Sequence, residues 1–287
     1  MAIDPERLRS FPIPEARQCL TKRDTILYAL SVGLGQDPLD ERQLDFVYET
    51  RLRAFPSIAV VLGYPGFWLK NLDTGVDWKR LVHGEQAISW HAPLPVEGEV
   101  IGRTRVTGLV DRGEGKGALL YSAREVVDAA TGALLATLDQ STVLRGDGGF
   151  GGPSDPVRAP HPMPTRDPDD AVALATRPEQ ALLYRLNGDD NPLHIDPAVA
   201  KTAGFDRPIL HGLCTLGVVT HALLRRVCGY DTTKPRHLAL RFSAPVFPGE
   251  TIRTELWDEG GGSYAFRARA VERDAVVVSN GLFRVSP

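Results

Sequence analysis

The sequence contains few cysteines and no pattern typical of a disulfide framework. Its three cysteines, Cys19, Cys214 and Cys228, are an odd number without the spacing of a metal site. Unpaired thiols are typical of a reducing compartment, so we expect a cytoplasmic protein. Outside one motif described below, no cluster of His, Cys and Asp has ligand spacing, which predicts that no metal is bound.

Long apolar runs and targeting signals are also missing. No segment stays apolar for the roughly 20 residues that a membrane-spanning helix needs. The first residues are charged and punctuated by Pro5, Pro12 and Pro14, which is unlike a signal peptide. The ending Arg284-Val285-Ser286-Pro287 does not match a peroxisomal address. We therefore expect no membrane association.

The charge is nearly balanced and no block of lysine or arginine stands out. A formal net charge of −3 lacks the basic footprint of proteins that bind nucleic acid. With 287 residues and 43% hydrophobic content, the chain can form one large or two ordinary domains with a substantial core.

A stretch dense in glycine, proline and aspartate spans residues 145–170 and divides the chain into similar lengths. Such a composition sustains neither helix nor strand and predicts an interdomain linker. We accordingly assign residues 1–147 to a first half, 148–170 to the linker and 171–287 to a second half.

The two halves show a weak internal duplication. Tyr28-Ala29-Leu30-Ser31 is echoed by Tyr184-Arg185-Leu186-Asn187. Gly98-Glu99-Val100-Ile101 is echoed by Gly249-Glu250-Thr251-Ile252, and each introduces a strand-rich tail.

The second half predicts one long helix followed by strands. Residues 211–228 contain no proline, carry several leucines and stop at Gly229, a common helix terminator. Segments rich in β-branched and aromatic residues then predict strands at 238–242, 251–257, 263–271 and 275–285. A long helix with a meandering antiparallel sheet is an α+β pattern.

An acid and an imidazole five positions apart lie in Asp189-Asp190-Asn191-Pro192-Leu193-His194. Such residues often merely cap helices, because a side-chain oxygen satisfies free N–H groups and proline tolerates the first helical position. The ordered context argues for more, since a helix carrying Tyr184 and Leu186 precedes the motif and Pro208-Ile209-Leu210-His211-Gly212 follows it. An acid and a base together can activate water, and a backbone N–H at a helix start can stabilise an oxyanion.

This stretch resembles the hydratase 2 signature of the MaoC-like (R)-specific enoyl-CoA hydratases. Other segments, in the same order, look like the hydratase domain of peroxisomal multifunctional enzyme type 2, and together they cover nearly the whole chain. They are residues 23–33, Phe46-Val47-Tyr48-Glu49, Leu81-Val82-His83-Gly84-Glu85-Gln86 and Gly148-Gly149-Phe150-Gly151-Gly152. Asn187 departs from the small hydroxyl residue that the family usually carries before the acid, and the difference concerns fine positioning.

The resemblance implies a double hot-dog fold, in which a sheet wraps round a long central helix twice over. It also implies hydration of trans-2-enoyl-CoA to (3R)-3-hydroxyacyl-CoA in fatty acyl-CoA metabolism, without an organic cofactor. We expect Asp189 and His194 to transfer protons, Gly212 N–H to stabilise the enolate and Asn191 to orient water or thioester. Which of Asp189 and His194 is the base stays open. His211 is expected only to form a local hydrogen bond.

A second group of residues is expected to contact the acyl-CoA. By the resemblance these are His83, Gly84, Arg112, Asp190, Pro192, Leu193 and Phe242. Read without the resemblance, they include a strand-end histidine, a turn arginine and a core phenylalanine. The phosphates of CoA also require a basic rim, for which the candidates are Arg112, Lys116, Arg236 and Arg241.

The first half carries Val32-Gly33-Leu34-Gly35 where the second half has its motif, so we expect one catalytic site per chain. The first half would then supply walls for the acyl pocket. A segment interrupted by Gly63, Pro65 and Gly66 is too irregular for one long helix, and its apolar residues are expected to line a pocket for medium or long chains. These residues are Phe55, Ile58, Val60, Val61, Leu62, Phe67 and Trp68.

Two other functions stay open. An acyl-CoA thioesterase would use the same fold to hydrolyse the thioester, and a non-catalytic protein would only bind it. The pairing of Asp189 with His194 favours hydration. We further expect a homodimer that acts as a stand-alone hydratase, without a dehydrogenase or lipid-transfer domain.

Overall fold

The computed structural model describes residues 3–152 and 154–286. Its strands are β1 Ala16–Leu20, β2 Leu81–Trp90, β3 Gly98–Asp111, β4 Ala118–Asp128, β5 Leu134–Leu144, β6 Asp170–Ala175, β7 Pro235–Phe242, β8 Thr251–Gly260, β9 Ser263–Ala270 and β10 Ala275–Val285. They form one ten-stranded sheet in the order β1-β3-β4-β5-β2-β7-β10-β9-β8-β6. All neighbouring pairs are antiparallel.

The strand order repeats itself when it is followed outward from the centre. Strands β2, β5, β4, β3 and β1 of the first half occupy the places of β7, β10, β9, β8 and β6 of the second. The halves join through β2 and β7, which pair from Glu85 opposite Arg241 to Ser89 opposite His237. This arrangement confirms the predicted α+β double hot-dog and the internal duplication.

The α-helices are α1 Pro5–Arg9, α2 Lys22–Ser31, α3 Trp68–Asn71, α4 Gln180–Tyr184, α5 Pro197–Thr202 and α6 Gly212–Cys228. Short 3-10 helices span Glu41–Phe46, Glu49–Arg51, Pro56–Val61, Trp78–Arg80, Arg185–Asn187, Pro192–His194 and Val271–Arg273. Within the described residues, none of the helices is both long and apolar enough to cross a bilayer.

The long helix α6 confirms the prediction for residues 211–228 almost to the residue. His211 is its N-cap, and Gly229 ends it in the left-handed conformation with φ 59°, which glycine adopts without strain. Its middle is almost entirely buried, from Cys214 to Leu224. The helix therefore lies inside the core, as the central helix of the second half.

Among the described residues, the first half lacks a long central helix, as the interruptions at Gly63, Pro65 and Gly66 predict. Its central segment is the six-residue 3-10 helix Pro56–Val61, followed by the glycines and prolines that prevent a regular continuation. Phe55, Ile58, Val60 and Leu62 are at most 2% exposed. These four side chains therefore pack in the main core, and a role as walls of an acyl pocket stays a prediction.

The other three residues predicted to line that pocket have mixed environments. Val61 packs at the edge of the main core, Trp68 belongs to a second cluster with Leu8 and Leu120, and Phe67 is 36% exposed.

One hydrophobic core spans both halves. It combines Tyr28 and Phe46 of the first half with Tyr184 and the buried side of α6. A Cβ on Gly217 of α6 would lie 2.4 Å from a methyl carbon of Val32, so only glycine permits this approach. The loop that replaces the motif in the first half thus packs on the central helix of the second.

The connection between the halves is fixed to the sheet by several contacts, among them hydrogen bonds to the carboxylates of Asp155 and Asp111. Strand β5 ends at Leu144 and β6 begins at Asp170, and the described residues between them form neither helix nor strand. Asp111 accepts hydrogen bonds from the backbone N–H groups of Gly149 and Gly151, at 2.7 and 2.8 Å. These N–H donors hold the pKa of Asp111 below its usual value.

Candidate active site

Asp189 is placed by a turn that is anchored on the first half. The α-helix predicted through Leu186 ends at Tyr184 and continues as the 3-10 turn Arg185–Asn187, which Gly188 closes with φ +104°. Asn187 Nδ2 donates to Ser31 Oγ at 3.0 Å and to the Tyr184 carbonyl at 2.8 Å. Asn187 therefore ties the loop before Asp189 to helix α2.

His194 ends a second 3-10 turn, Pro192–His194, and its ring is buried. Its Nδ1 lies 2.8 Å from the Ile209 carbonyl. A carbonyl oxygen only accepts, so Nδ1 carries the hydrogen and Nε2 of the neutral ring keeps its lone pair. Burial lowers the pKa of His194, against opposing contributions from the Ile209 bond and the Asp189 charge. The imidazole is thus available as a base.

Asn191 has the capping role that short motifs of this composition often have. Its Oδ1 accepts a hydrogen bond from Leu193 N–H at 3.1 Å, and its side chain is exposed. Asp189 Oδ1 accepts a hydrogen bond from Asn191 N–H at 3.3 Å. Asn191 Nδ2 and the second lone pair of Oδ1 remain available to orient water or thioester.

The contacts of His211 with the motif were not predicted from the sequence. Its ring stacks on His194 with centroids 3.8 Å apart and planes inclined by 29°. Its Nε2 lies 3.3 Å from the carbonyl oxygen of Asp189, 22 residues away, so the expected local hydrogen bond is wrong. Burial, then the His194 ring, lowers the pKa of His211 to about 3.

Asp189, His194 and His211 each offer one potential ligand atom within 4.8 Å of the others. Ring nitrogens bind a metal through lone pairs in the ring plane, and a tetrahedral ion requires these to converge. The two rings are stacked, and one nitrogen of each already lies at a backbone carbonyl, His194 Nδ1 at Ile209 and His211 Nε2 at Asp189. This geometry suits a water held by hydrogen bonds, and the absence of a metal stays a prediction.

Gly212 opens helix α6, directly after His211. No group in residues 3–152 and 154–286 accepts a hydrogen bond from Gly212 N–H, which is one of the free donors at a helix start. The helix dipole adds partial positive charge at this end. The N–H is therefore available to an oxyanion.

Phe242 and His83 lie beside this helix start. A Cβ on Gly212 would be 3.4 Å from the Phe242 ring. The His83 ring meets Phe242 edge to face, with centroids 5.0 Å apart. Burial lowers the pKa of His83 to about 4, so its ring is neutral near pH 7. The structure thus brings both predicted substrate contacts next to Gly212.

The environment of Gly84 explains why a small residue occupies this position. It occupies an irregularity of β2 between His83 and Glu85. A Cβ at this position would lie 2.8 Å from Ser141 Oγ on β5, so any larger residue would have to displace the Ser141 side chain. Of the remaining motif residues, Asp190 and Pro192 are exposed and Leu193 is partly buried.

The four candidates for a basic rim differ in their surroundings. Arg112 and Lys116 are exposed in the hairpin between β3 and β4. Arg241 forms an ion pair with Glu85 at 2.7 Å, beside a cavity of about 350 Å³ under the linker. Arg236 donates to the Thr233 carbonyl at 2.7 Å, at the end of β7 remote from Phe242. Arg112 and Lys116 therefore stay as the candidates for the CoA phosphates.

Arg124 and Tyr64 are further residues of this region that sequence reasoning missed. The Arg124 guanidinium lies 5.3 Å from the centre of the Tyr64 ring, and its charge contributes to lowering the pKa of His83. An arginine in a strand is usually solvated, so its type gave no signal. Only the pairing of β4 with β5 in the structure places Arg124 beside the buried Leu138.

Comparisons with known proteins agree across the whole chain. Residues 19–146 match the family model of the MFE-2 hydratase 2 N-terminal domain, and residues 157–280 match the MaoC like domain. The chain is 39% identical to 3-hydroxyacyl-thioester dehydratase Y of Mycobacterium tuberculosis, with 98% of each covered. It is 37% identical to the peroxisomal enoyl-CoA hydratase 2 of Arabidopsis thaliana, with 95% of this chain and 92% of that protein covered.

Among solved structures, a MaoC-like dehydratase from Phytophthora capsici superimposes with a TM-score of 0.87. It shares 35% sequence identity, and 98% of each chain is covered.

Proposed function

The chain belongs to the MaoC-like hydratase 2 family, and from this premise we propose that it adds water reversibly to trans-2-enoyl-CoA to give (3R)-3-hydroxyacyl-CoA. The observation that carries the proposal is the pairing of Asp189 with a neutral His194 whose Nε2 is free, next to the unpaired N–H of Gly212. These groups supply the proton transfer and the charge stabilisation that a hydration needs.

The reaction begins with a water molecule between the Asp189 carboxylate and His194 Nε2. As the water oxygen bonds to C3, one proton passes to the Asp189 and His194 pair, and charge moves to the thioester oxygen. Gly212 N–H stabilises this enolate at the helix start. The pair then returns a proton to C2 on the same face, so that both elements of water are added. Because the two groups are coupled, they act as one unit.

The test incubates purified protein with crotonyl-CoA or trans-2-decenoyl-CoA and measures the products. We expect the enoyl thioester absorbance to fall, a (3R)-specific dehydrogenase to oxidise the product, and a thiol reagent to detect no free CoA. Release of CoA without loss of the double bond would identify a thioesterase instead. Binding without either change would identify a non-catalytic acyl-thioester-binding protein.

Acyl-CoA as the substrate class agrees with the family. The cytoplasmic location, the homodimer, the lack of an organic cofactor and the roles of individual site residues stay predictions.

A further inference from the structure

Arg124 points from the sheet toward the interior of the protein. Directly paired residues of antiparallel strands share a face, and one such row runs across the sheet. It contains Thr104, Arg124, Leu138, Ile88 and Leu238. The last three are at most 3% exposed and belong to the main core. Arg124 and Thr104 therefore introduce polar groups on the face that the central helix covers.

The bonding of Arg124 is incomplete. Its Nη2 donates to the Val60 carbonyl at 2.6 Å, where the 3-10 helix Pro56–Val61 ends. Its Nε is buried without a partner, and the Thr104 Oγ1 opposite it is buried and unpartnered as well. No carboxylate of the described residues forms an ion pair with Arg124.

A guanidinium in this state is costly, because taking a charge from water is compensated only by a partner of opposite charge or by full hydrogen bonding. Burial lowers the pKa of Arg124 to about 10, so the group stays charged near pH 7. Capping of the Val60 carbonyl uses one of the five N–H donors of an arginine. It leaves the unpaired Nε and the neighbouring Thr104 hydroxyl unexplained.

The surroundings of Arg124 are continuous with the candidate active site. Its guanidinium lies over Tyr64. Burial and then the charge of Asp189 raise the pKa of Tyr64. The buried Tyr184 hydroxyl has no partner either, and both Asp189 and Arg124 act on its pKa after the effect of burial. Tyr64 is thus in contact with Arg124, and the charges of both Asp189 and Arg124 act on each of the two tyrosines.

The register of the sheet gives the offset along the strands between His83 and Arg124. His83 is paired with Thr142, which is paired with Leu120, four residues before Arg124 on β4. Four residues of a strand span about 13 Å, at about 3.3 Å each. The backbone of Arg124 is therefore offset along the strands from the level of His83 by about the length of a medium-length acyl chain.

We propose that the acyl chain of the substrate carries a carboxylate at the end remote from the thioester, and that Arg124 binds this carboxylate with help from Thr104. The substrate class is then the mono-CoA thioester of an unsaturated dicarboxylic acid. This inference rests on the proposed hydratase function. It supplies the Arg124 guanidinium with a counter-ion. It also supplies an acceptor to Arg124 Nε and to the Thr104 hydroxyl, which otherwise have no partner among the described residues.

The experiment compares kcat/KM for matched pairs of substrates. Each pair consists of a trans-2-enoyl-CoA and the trans-2-enedioyl mono-CoA thioester of equal length, at eight, ten and twelve carbons. The variants are Arg124→Met, which removes the charge, and Arg124→Lys, which keeps it without the planar fork. Arg105→Met is the matched control, since Arg105 is an exposed cation next to Thr104 and faces the other way.

We expect the wild-type protein to prefer the carboxylated member at one or more of the three lengths. Arg124→Met should reduce kcat/KM for that member about ten- to hundredfold, the effect of one lost charge-assisted contact, while the alkyl member is hydrated as well as before or better. Arg124→Lys should retain part of the preference, and Arg105→Met all of it. Circular dichroism and thermal unfolding check that each variant is folded.

Two results would overturn the proposal. One is a wild-type preference for the alkyl member at every length, and the other is an equal loss for both members in Arg124→Met. Crotonyl-CoA separates this proposal from the general function, because it is too short to reach Arg124. Hydration of crotonyl-CoA without any preference for carboxylated chains would refute only the role of Arg124. Failure to hydrate any enoyl-CoA would refute the hydratase function itself.

Discussion

His211 stacks on His194 at 3.8 Å between ring centroids, and its Nε2–H points at the backbone carbonyl of Asp189. One residue thus contacts both members of the proposed proton-transfer pair, and it also precedes Gly212 in the chain. The Tyr184 ring lies on it from another side, at 5.0 Å. His211 is therefore a positioning residue for all three groups.

Replacement of His211 should separate the stacking from the hydrogen bond. We expect His211→Ala to lower kcat up to about 100-fold, because small misplacements of reacting groups have effects of this size. His211→Phe keeps an aromatic ring against His194 and should lose less. Stopped-flow binding of substrate should show little change in affinity for either variant. Equal activity of His211→Ala and wild type would exclude a positioning role.

Asp189→Asn and His194→Gln should each reduce kcat by about 10²–10⁴-fold, because each keeps the size of the side chain and loses proton transfer. Asp190→Asn is the matched control, since Asp190 is the exposed neighbour of Asp189, and it should retain nearly all of kcat. Steady-state kinetics with crotonyl-CoA measure all three. A variant of Asp189 or His194 with more than about a tenth of wild-type kcat would contradict the assignment.

Two substitutions of Gly212 separate the loss of its N–H from the addition of a side chain. Proline is tolerated at the first position of a helix, so Gly212→Pro should fold while losing the N–H and nearly all activity. Gly212→Ala keeps the N–H, and its Cβ would only touch the Phe242 ring at 3.4 Å, so activity should largely remain. Circular dichroism verifies the helix content. An active Gly212→Pro protein would show that the oxyanion has another donor.

Acid should destabilise the protein through its buried imidazoles. Burial lowers the pKa of His211 to about 3 and that of His221 to about 4, whereas both are near 6.5 in the unfolded chain. Between about pH 6.5 and 4 the unfolded state therefore binds protons that the native state does not, so stability falls as the pH falls. Each group contributes at most about 1.4 kcal/mol per pH unit.

Urea unfolding at pH 7, 6 and 5 measures this slope. His221→Gln removes one titrating group but can keep a hydrogen bond to the Tyr230 hydroxyl, which lies 2.9 Å from His221 Nε2. The variant should show a shallower dependence than the wild type. An unchanged slope would show that His221 is protonated alike in both states.

We expect activity without a metal, since one ring nitrogen each of His194 and His211 is already taken up by a backbone carbonyl. Prolonged dialysis against EDTA should leave activity unchanged, and elemental analysis should find no stoichiometric zinc or iron. Activity that is lost with EDTA and restored by one metal would reverse this expectation and assign Asp189, His194 and His211 as ligands.

Local signals in the sequence were sufficient for much of the second half. The start of α6 at Gly212 and its end before Gly229 follow from proline-free spacing and a left-handed terminator, both of which act within a few residues. The strand Ala275–Val285 was also predicted to its ends. Signals of this kind depend on neighbours along the chain, which a single sequence displays.

Contacts between distant segments could not be derived in the same way. The hydrogen bond from Asn187 to Ser31 joins residues 156 positions apart, and Asp111 binds glycines about 40 positions away. The inward orientation of Arg124 becomes evident only when β4 is paired with β5. The core packing of the apolar residues near Ile58 could not be predicted either, because hydrophobic character alone does not distinguish a filled core from a cavity wall.

The pairing of β2 with β7 joins two halves of different sequence in one sheet and one chain. In a symmetric pair of separate hot-dog subunits, every substitution would appear at both sites at once, and a change that served one role would be tested in the other. Here the loop at 32–35 packs Val32 on Gly217 while Asp189 and His194 stand only in the second half. Because both halves lie in one chain, the loop of the first half can serve packing alone while the second half holds the acid and the imidazole.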